Sequence, residues 1–590
     1  MSETKTILTH HALLVAWGQY AQASGLIPAL EAVPLSQKSV IHRPQTKVIE
    51  FLVAILGGLE YLKDLSWSAH PLDQDQAVAQ AWGQATWADH SGVSRTLHAL
   101  SETEVYHLVQ VTEQFCQPFI DAEVSLALAG GRIELDGDHS PRPVSDTSTS
   151  YPGAAYGHMD QDRVGLGYQA ELVSLCSSTY GRIGLSVVQR PGNTISCTQA
   201  LALVTAAERR LGCHPRRRTE WLAQRLERLQ AQDAHWRPKV EQAQQALARA
   251  QAALAATQAQ LTAAQQALAD LQETYQQRGR MERPASQLAK VRHQVQVYQH
   301  RLKRRTVQLT RAQVWLLRQQ ANLHDWEQQI EALRERLKRF EADNLVNAMP
   351  ICAVFRLDAG FGTMENIALL IEMGYEVYSK PYANWLSAWI HTRAAQVNTW
   401  QRVGDNAEMT AWQAVQLADF PYPLDLGIER FWTGQTSKLT GMLHFGQDPV
   451  TQDLPAWFHY YNARQTIEAA NREGKQVFEI HHLKVRAQPA LQLQEQFAMF
   501  AANFIRFASA WLAEQCPQVP DGWKESIHPQ VKQQVKVGAN SSAYVTWIGQ
   551  DCLLTFTLHS VFAGRSLHVR RKWAYQPVLP MMKSCFFSPI

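Results

Sequence analysis

The stretch Ile351-Cys-Ala-Val-Phe-Arg-Leu-Asp-Ala-Gly-Phe-Gly362 places a buried strand in the second half of the chain. Its first seven residues are an apolar run interrupted only by Arg356, as expected of a central strand that is covered on both faces. A helix is predicted at residues 364–373, and Gly374 separates it from a second strand at residues 375–379. This strand–helix–strand unit is typical of an α/β domain.

A second group of strands lies further upstream. Residues 132–138 alternate apolar and polar side chains, and two more strand-like runs follow at residues 167–177 and 181–189. An Ala- and Leu-rich helix is predicted at residues 198–211. Three strands and a helix in this order predict the first part of an α/β domain, with the strands in an antiparallel meander.

Between the two groups lies a long segment, residues 222–340, in which apolar residues recur at alternating spacings of four and three. Sustained heptads of this kind predict a coiled coil. Gly279 and Pro284 divide the heptads into two arms of comparable length, so we expect an antiparallel hairpin inserted within one domain. The second arm is strongly basic from Lys290 to Arg305. That side could face DNA or simply solvent, and the hairpin could equally mediate dimerisation.

The resulting expectation is an α/β protein of several parts. We expect an N-terminal helical domain (1–125), the first part of an α/β domain (126–215) and the coiled-coil insertion (216–346). The second part of the α/β domain follows (347–515), with a β-rich insertion (about 405–450), and then a C-terminal region (516–590) with a β-hairpin at residues 543–558. Within the first domain, residues 89–97 resemble a short recognition helix in which Arg95 faces DNA. An ordinary capped helix in a small bundle is the alternative.

Composition limits the classes of protein that remain. The net charge of the 590 residues is only +3, so any surface for nucleic acid must come from local clusters of Lys and Arg. The eight cysteines lack the spacing of a zinc site and are expected to be reduced, as in a cytosolic protein. The N-terminus has no signal-peptide pattern, and the apolar segment 48–56 is too short to span a bilayer. We therefore expect a soluble, intracellular protein without a membrane partner.

Carboxylates mark the candidate chemistry. Asp358 ends the buried strand, and Asp136 and Asp138 are two residues apart on another strand, which places them on the same face. Acids at such positions are costly unless they are paired, hydrogen-bonded or bound to metal. Their hard oxygen atoms suit Mg²⁺ or Mn²⁺ rather than zinc.

A fourth acid, Glu468, belongs to a spaced set of polar residues. The stretch 461–475 has the pattern Y-x2-R-x3-E-x6-K, formed by Tyr461, Arg464, Glu468 and Lys475. On one helix these residues share a face. Such a face suits metal and phosphate, because the glutamate can bind an ion while the arginine and lysine hold phosphate oxygens.

The pattern at 461–475 resembles the Y-R-E-K motif of bacterial insertion-sequence transposases that have an RNase H-like catalytic domain with a DDE triad. Residues 135–140 resemble the first-aspartate motif of that family, and residues 356–361 resemble the second. The first acid can be either Asp136 or Asp138, with Asp136 preferred. Ala359 departs from the serine that is usual beside the second acid.

The resemblance implies a fold, an activity and partners. It implies that residues 1–125 bind DNA and that residues 126–215 and 347–515 form a catalytic domain with an RNase H-like mixed sheet. The implied activity is metal-dependent DNA cleavage and strand transfer with two Mg²⁺ (or Mn²⁺) ions, by a cut-and-paste route. The partners would be double-stranded DNA, as terminal inverted repeats and as target, and a second protomer in a synaptic homodimer. Tyr461, Arg464 and Lys475 would hold end phosphates, and Trp432 is our candidate for stacking on a flipped base. The expected location is the bacterial cytoplasm, at the nucleoid.

Two other functions compete with this one. A domesticated or inactive descendant would bind DNA without cutting it, although all the acids are present. An SMC-like scaffold would need a nucleotide-binding loop in its head, and the chain has no G-x-x-x-x-G-K-[ST] sequence.

Overall fold

A computed structural model of the protein describes residues 6–571, apart from residues 39–40, 148, 161–162, 383–384, 419, 516–529 and 561. The C-terminal region predicted at 516–590 therefore lies partly outside the described residues. Cys516 and Cys585 both lie outside them. The chain separates into two compact units, one formed by residues 1–216 and 347–590 and the other by residues 217–346. The larger unit is a mixed α/β structure.

The larger unit begins with one short strand followed by helices. The strand is β1 (Thr6–Thr9), and the helices are α1 (Ala12–Ala23), α2 (Leu26–Glu31), α3 (Pro44–Leu56), α4 (Asp64–Trp67), α5 (Gln76–Ala81), α6 (His90–His98) and α7 (Glu102–Leu128). Helix α7 starts at a capping box, in which the Ser101 side chain accepts from the backbone of Glu104 and the Glu104 side chain accepts from the backbone of Ser101. β1 was not expected from the sequence, because its pairing partner lies at the other end of the chain.

Ten strands form the large sheet. They are β2 (Ile133–Pro143), β3 (Ala155–Asp160), β4 (Arg163–Ser177), β5 (Gly181–Pro191), β6 (Ala353–Leu357), β7 (Glu376–Ser379), β8 (Gln401–Gly404), β9 (Ala407–Val415), β10 (Leu424–Thr433) and β11 (Thr436–Phe445). Their order is β3-β4-β2-β6-β7-β11-β10-β9-β8, and β5 pairs with β4. β6 is parallel to both β2 and β7, whereas the remaining pairs are antiparallel.

Helices pack on this sheet and connect its strands. They are α8 (Ala200–Leu211), α12 (Met364–Glu372), α13 (Ser387–Ala394), α14 (Leu454–Asn462), α15 (Gln465–Gln476) and α16 (Gln488–Gln515). The long helix α16 contacts α7, α3 and β5, and its Phe507 ring stacks on Phe119 with centroids 3.6 Å apart. A buried ion pair, Arg142 with Glu495 at 2.8 Å, joins β2 to the same helix. The sheet is thereby held firmly against the N-terminal helices.

A second, four-stranded sheet has the order β1-β12-β13-β14. It contains β12 (Ala543–Ile548), β13 (Asp551–Phe556) and β14 (Ser566–Val569), preceded by the short helix α17 (Val531–Gln533). The predicted hairpin at residues 543–558 is confirmed by the antiparallel pairing of β12 with β13.

The smaller unit consists of three helices, α9 (Thr219–Gln230), α10 (Asp233–Gln277) and α11 (Gln287–Val346). α10 and α11 pack antiparallel, since Leu261 and Ala264 of α10 share an apolar cluster with Val295, while the Trp326 indole donates to the carbonyl of Leu229 near the start of the unit. The first arm predicted from the heptads is thus two helices, with a break between Gln230 and Asp233.

No helix among the described residues combines the length and the apolar character that crossing a bilayer requires.

A buried carboxyl in α3 makes the stability of the larger unit sensitive to pH. Burial raises the pKa of Glu50 to about 9, although its carboxylate accepts from the backbone N–H of Ala88. Between about pH 4.5 and about pH 9, Glu50 is therefore protonated in the folded chain and ionised in the unfolded chain. The contribution of Glu50 to the free energy of unfolding falls as the pH rises through this range. We expect Glu50→Gln to raise the thermal midpoint by several degrees at pH 8 and to leave it nearly unchanged at pH 4.5. Equal shifts at both values would contradict a protonated Glu50.

Candidate active site

Two adjacent parallel strands bring the first two acids together. Asp136 pairs in register with Arg356, and Gly137 with Leu357. Asp138 is the next residue of β2 and Asp358 directly follows β6, so their carboxylates are close enough to repel each other. Gly137, between the two upstream aspartates, points to the opposite face, where an added Cβ would lie 2.3 Å from Cδ2 of Leu203 in α8. The glycine lets α8 pack closely against β2.

Asp138 is almost fully buried, with 9% of its surface exposed. One carboxylate oxygen accepts from its neighbour's backbone N–H, that of His139, at 2.9 Å, and the other accepts from Nδ2 of Asn471 in α15 at 2.8 Å. Burial, and then repulsion from the Asp358 carboxylate, raise the pKa of Asp138 to about 7, against the opposing effect of Arg464. The site thus concentrates negative charge where solvent cannot disperse it.

Asp358 lies at the end of β6, beyond a strand that is buried throughout. Burial raises its pKa, while Arg464 and the backbone N–H groups of Gly360 and Phe361 act in the opposite direction. Within the described part of the chain, no hydrogen-bond donor reaches its buried Oδ1 atom. An oxygen in this condition is available to a cation, because a buried acceptor without a partner is costly.

Glu468 lies in the first turn of α15, with 52% of its side chain exposed. Its carboxylate is 3.6 Å from the guanidinium of Arg464, which also interacts electrostatically with Asp138 and Asp358. Arg464 is only 11% exposed, and its Nε atom has no hydrogen-bond partner among the described residues. One arginine therefore faces all three acids.

The expectation of a single helix face at 461–475 is wrong for its first two members. α14 ends at Asn462 and α15 begins at Gln465, so Tyr461 lies on the preceding helix and Arg464 caps the start of α15 from the break between them. Its side chain is 3% exposed, and its hydroxyl donates to the carbonyl of Leu357 at 3.3 Å. Tyr461 thus packs beneath the end of β6 instead of facing outwards. Glu468 and Lys475 do belong to one helix, the latter in its last turn.

Asp136 occupies a different setting from Asp138. It is fully buried, and both of its oxygens accept from Arg356, at 2.7 and 3.0 Å. One of them also accepts from Arg182 at 2.7 Å and lies 3.3 Å from the Cys176 thiol. These contacts make Asp136 the anion of a buried ion-pair network. These ion pairs favour Asp138 over Asp136 as the first acid of the candidate site.

The remaining predicted contacts lie elsewhere. Trp432 is half-buried near the end of β10, where the guanidinium of Arg430 lies 5.3 Å from its ring and 4.3 Å from that of Trp400. Arg95 is exposed in the last turn of α6. In the part of the chain that the structure describes, no contact joins either residue to the acids.

Two residues beside the acids were missed by sequence reasoning. Asn471 lies three residues after Glu468 and four before Lys475, a spacing that places all three on one face of α15 and was available as a signal. His139 follows Asp138; its ring packs edge-on against Phe361, with centroids 5.2 Å apart, and burial lowers its pKa to about 4. Nothing in the sequence distinguished this histidine.

The described residues contain one group of three potential metal ligands whose atoms all lie within 4.8 Å of one another, and it is not the acidic site. It consists of Glu479, His481 and His482 in the loop after α15. The group has cationic and anionic partners already: Lys536 lies 2.6 Å from Glu479, and Glu60 lies 3.1 Å from His482. Asp138, Asp358 and Glu468 are more widely spaced, since Glu468 is turned towards Arg464.

Comparison with known proteins finds no family model that matches the chain and no curated protein similar to it.

Proposed function

We propose that the protein is a DNA transposase that cleaves the ends of a mobile element and joins them to target DNA with the help of divalent cations. The observation that carries the proposal is the convergence of three acids. Asp138 comes from the middle of β2, Asp358 directly follows the adjacent parallel strand β6, and Glu468 comes from α15, whose Asn471 is hydrogen-bonded to Asp138.

The strand order supports an RNase H-like catalytic domain. β5, β4 and β2 form an antiparallel meander, and β6 and β7 continue it with parallel pairing. The two aspartates lie at the centre of this order, as expected for such a domain. The hairpin of α10 and α11, which we propose to be a coiled coil, is inserted between β5 and β6.

The residues present suit Mg²⁺ or Mn²⁺. Asp138, Asp358 and Glu468 would hold the ions through their carboxylate oxygens, which these cations prefer as ligands. One of these oxygens, Oδ1 of Asp358, has no hydrogen-bond partner among the described residues. When bound, the two cations supply Lewis-acid activation and charge neutralisation in phosphoryl transfer. They would also relieve the burial penalty and the repulsion from Asp358 that together raise the pKa of Asp138.

Arg464 and Lys475 would hold phosphate oxygens of the DNA end. Arg464 is placed for this role, since it faces the three acids and can exchange its 3.6 Å contact with Glu468 for a phosphate. That exchange would free Glu468 to bind metal. Asn471 would fix the orientation of Asp138, and Tyr461 would position the end of β6 through Leu357.

The partners follow from the same proposal. The N-terminal helices, with Arg95 exposed on α6, would bind terminal inverted repeats, and a homodimer would bring two DNA ends together. Trp432, at the end of β10, would stack on a flipped base in a cut-and-paste reaction. The bacterial nucleoid would be the place of action.

The test is metal-dependent cleavage of a duplex that carries the inverted repeats flanking the gene. We expect the purified full chain to cut at the repeat ends with Mg²⁺ or Mn²⁺ and not in EDTA. Asp358→Asn should lower the rate by at least about 100-fold, because a ligand to the activating charge is lost. Asp405→Asn makes the same change at an exposed turn between β8 and β9 and should cut normally.

A different result would support the other candidate. Tight binding of the repeat duplex by the unaltered chain, without cleavage under either metal ion, would identify a transposase-derived DNA-binding protein.

A further inference from the structure

The outer part of the helical hairpin carries an unusual excess of positive charge. From residue 283 to residue 324 there are nine Lys and Arg and not one Asp or Glu. Over residues 242–324 there are twelve Lys and Arg and three acids, a net charge of +9, whereas the whole chain has +3. Positive charge is therefore concentrated on this part of the protein.

Three of these arginines and two histidines lie in one row along α11. They are His293, His300, Arg304, Arg311 and Arg318, which we call the basic stripe. Their separations of seven, four, seven and seven residues keep them within about 40° of one another around the helix and spread them over about 38 Å. All five are exposed. The residues that α11 turns towards α10, such as the buried Val295, lie on the other side of the helix.

The neighbouring helix does not neutralise the stripe. Leu261 and Ala264 mark the part of α10 that packs at this level, and residues 242–269 contain a single charged residue, Arg249. Coiled coils ordinarily alternate the signs of charge along their exposed faces. Closer to its base the same hairpin does so, as in the pairs of Arg334 with Glu331 and Lys338 with Glu335, at 3.3 and 2.9 Å.

We propose that the basic stripe binds the phosphate backbone of double-stranded DNA without regard to sequence. The proposal rests on the proposed function for the identity of the polyanion, and it gives the hairpin the role of holding DNA outside the base pairs that are cut. Arginine suits the task, because its guanidinium forms paired hydrogen bonds with phosphate oxygens.

Two other occupants fit the stripe less well. A second copy of the hairpin would bring two acid-free surfaces of like charge together, which is unfavourable. An anionic membrane is bound by helices that expose a broad apolar face beside a basic one. The main apolar side of α11 is instead packed against α10, and the large apolar side chains exposed between His293 and Arg318 are four: Val307, Val314, Trp315 and Leu317.

The experiment measures the salt dependence of binding to a duplex without terminal repeats, in EDTA, by fluorescence anisotropy of the full chain. The variant R304Q/R311Q/R318Q removes three charges with little change in helix propensity. Each lost phosphate contact should flatten the plot of log K against log salt by about 0.9, and the affinity at 0.1 M salt should fall on the order of 100-fold.

The matched control, R237Q/R334Q/K338Q, removes three exposed charges from the same hairpin, each of which faces a carboxylate. We expect its slope to change by less than one unit. An unchanged slope for the stripe variant, or equal changes in the two variants, would overturn the proposal. So would loss of binding to phosphatidylserine vesicles with unchanged DNA binding, because the stripe would then serve a membrane.

The two proposals can fail separately. This binding assay needs neither metal nor cleavage, so a chain that never cuts DNA can still show the stripe effect, and a chain that cuts repeat ends can lack it.

Discussion

Asp138→Asn is expected to lower the rate of metal-dependent cleavage at repeat ends by at least about 100-fold, in a chain that stays folded. The substitution keeps the shape of the side chain and an oxygen that can accept from the His139 backbone or from Asn471. It removes a buried charge that lies beside the Asp358 carboxylate. The substitution should therefore weaken the binding of cations and leave the stability of the fold nearly unchanged.

Thermal unfolding separates these two effects. A ligand that binds only the folded chain raises its stability, so Mn²⁺ should raise the midpoint of the unaltered protein and raise that of the Asp138→Asn variant much less. Asp405→Asn, at an exposed turn, should respond to Mn²⁺ like the unaltered chain. An Asp138→Asn protein that cuts DNA at the normal rate would exclude Asp138 as a metal ligand.

The elements that the sequence predicts well are those whose pattern is local. The apolar run before Asp358 predicts β6, because a short strand covered on both faces has buried side chains in succession. The heptads predict the long helices α10 and α11, since a stripe of apolar residues requires a partner helix. Neither prediction needs knowledge of a distant residue.

What the sequence could not provide depends on residues that are far apart. β1 pairs with β12, and no local pattern relates Thr6 to Thr546. The break between α14 and α15 also lacked a signal, because neither proline nor glycine marks Ala463 and Arg464. It is this break that removes Tyr461 from the face of Glu468.

The choice between Asp136 and Asp138 shows the same limit in the candidate site. Both aspartates lie on one face of β2, so periodicity treats them alike. Only the arrival of Arg182 from β5 and Arg356 from β6 distinguishes them. The sequence did contain one indication of this ion pair. β6 is an otherwise apolar central strand with one arginine, Arg356, and a buried arginine needs a buried anion beside it.

Because Asp136 is the anion of a buried ion-pair network, its replacement should lower the stability of the fold. Asp136→Asn should destabilise the larger unit by about 3–5 kcal/mol, because it removes the buried anion that Arg182 and Arg356 share and leaves Arg356 only the partly exposed Glu134, 3.5 Å away. Arg356 and Arg182 have side chains only 3% and 6% exposed, so water cannot replace the carboxylate. Urea unfolding followed by tryptophan fluorescence should show a lower midpoint, and any loss of cleavage should follow the fraction of unfolded chain.

A double-mutant cycle tests whether the ion pair itself is responsible. Arg356→Met alone should be strongly destabilising, since Asp136 then retains only Arg182 as a cationic partner. The double variant, Asp136→Leu with Arg356→Met, replaces both charges by apolar groups. It should lose less stability than the sum of the losses measured for Asp136→Leu alone and Arg356→Met alone. Additive losses would show that Asp136 and Arg356 do not act as a pair. An Asp136→Asn chain as stable as the unaltered one, but inactive, would instead return Asp136 to the catalytic site.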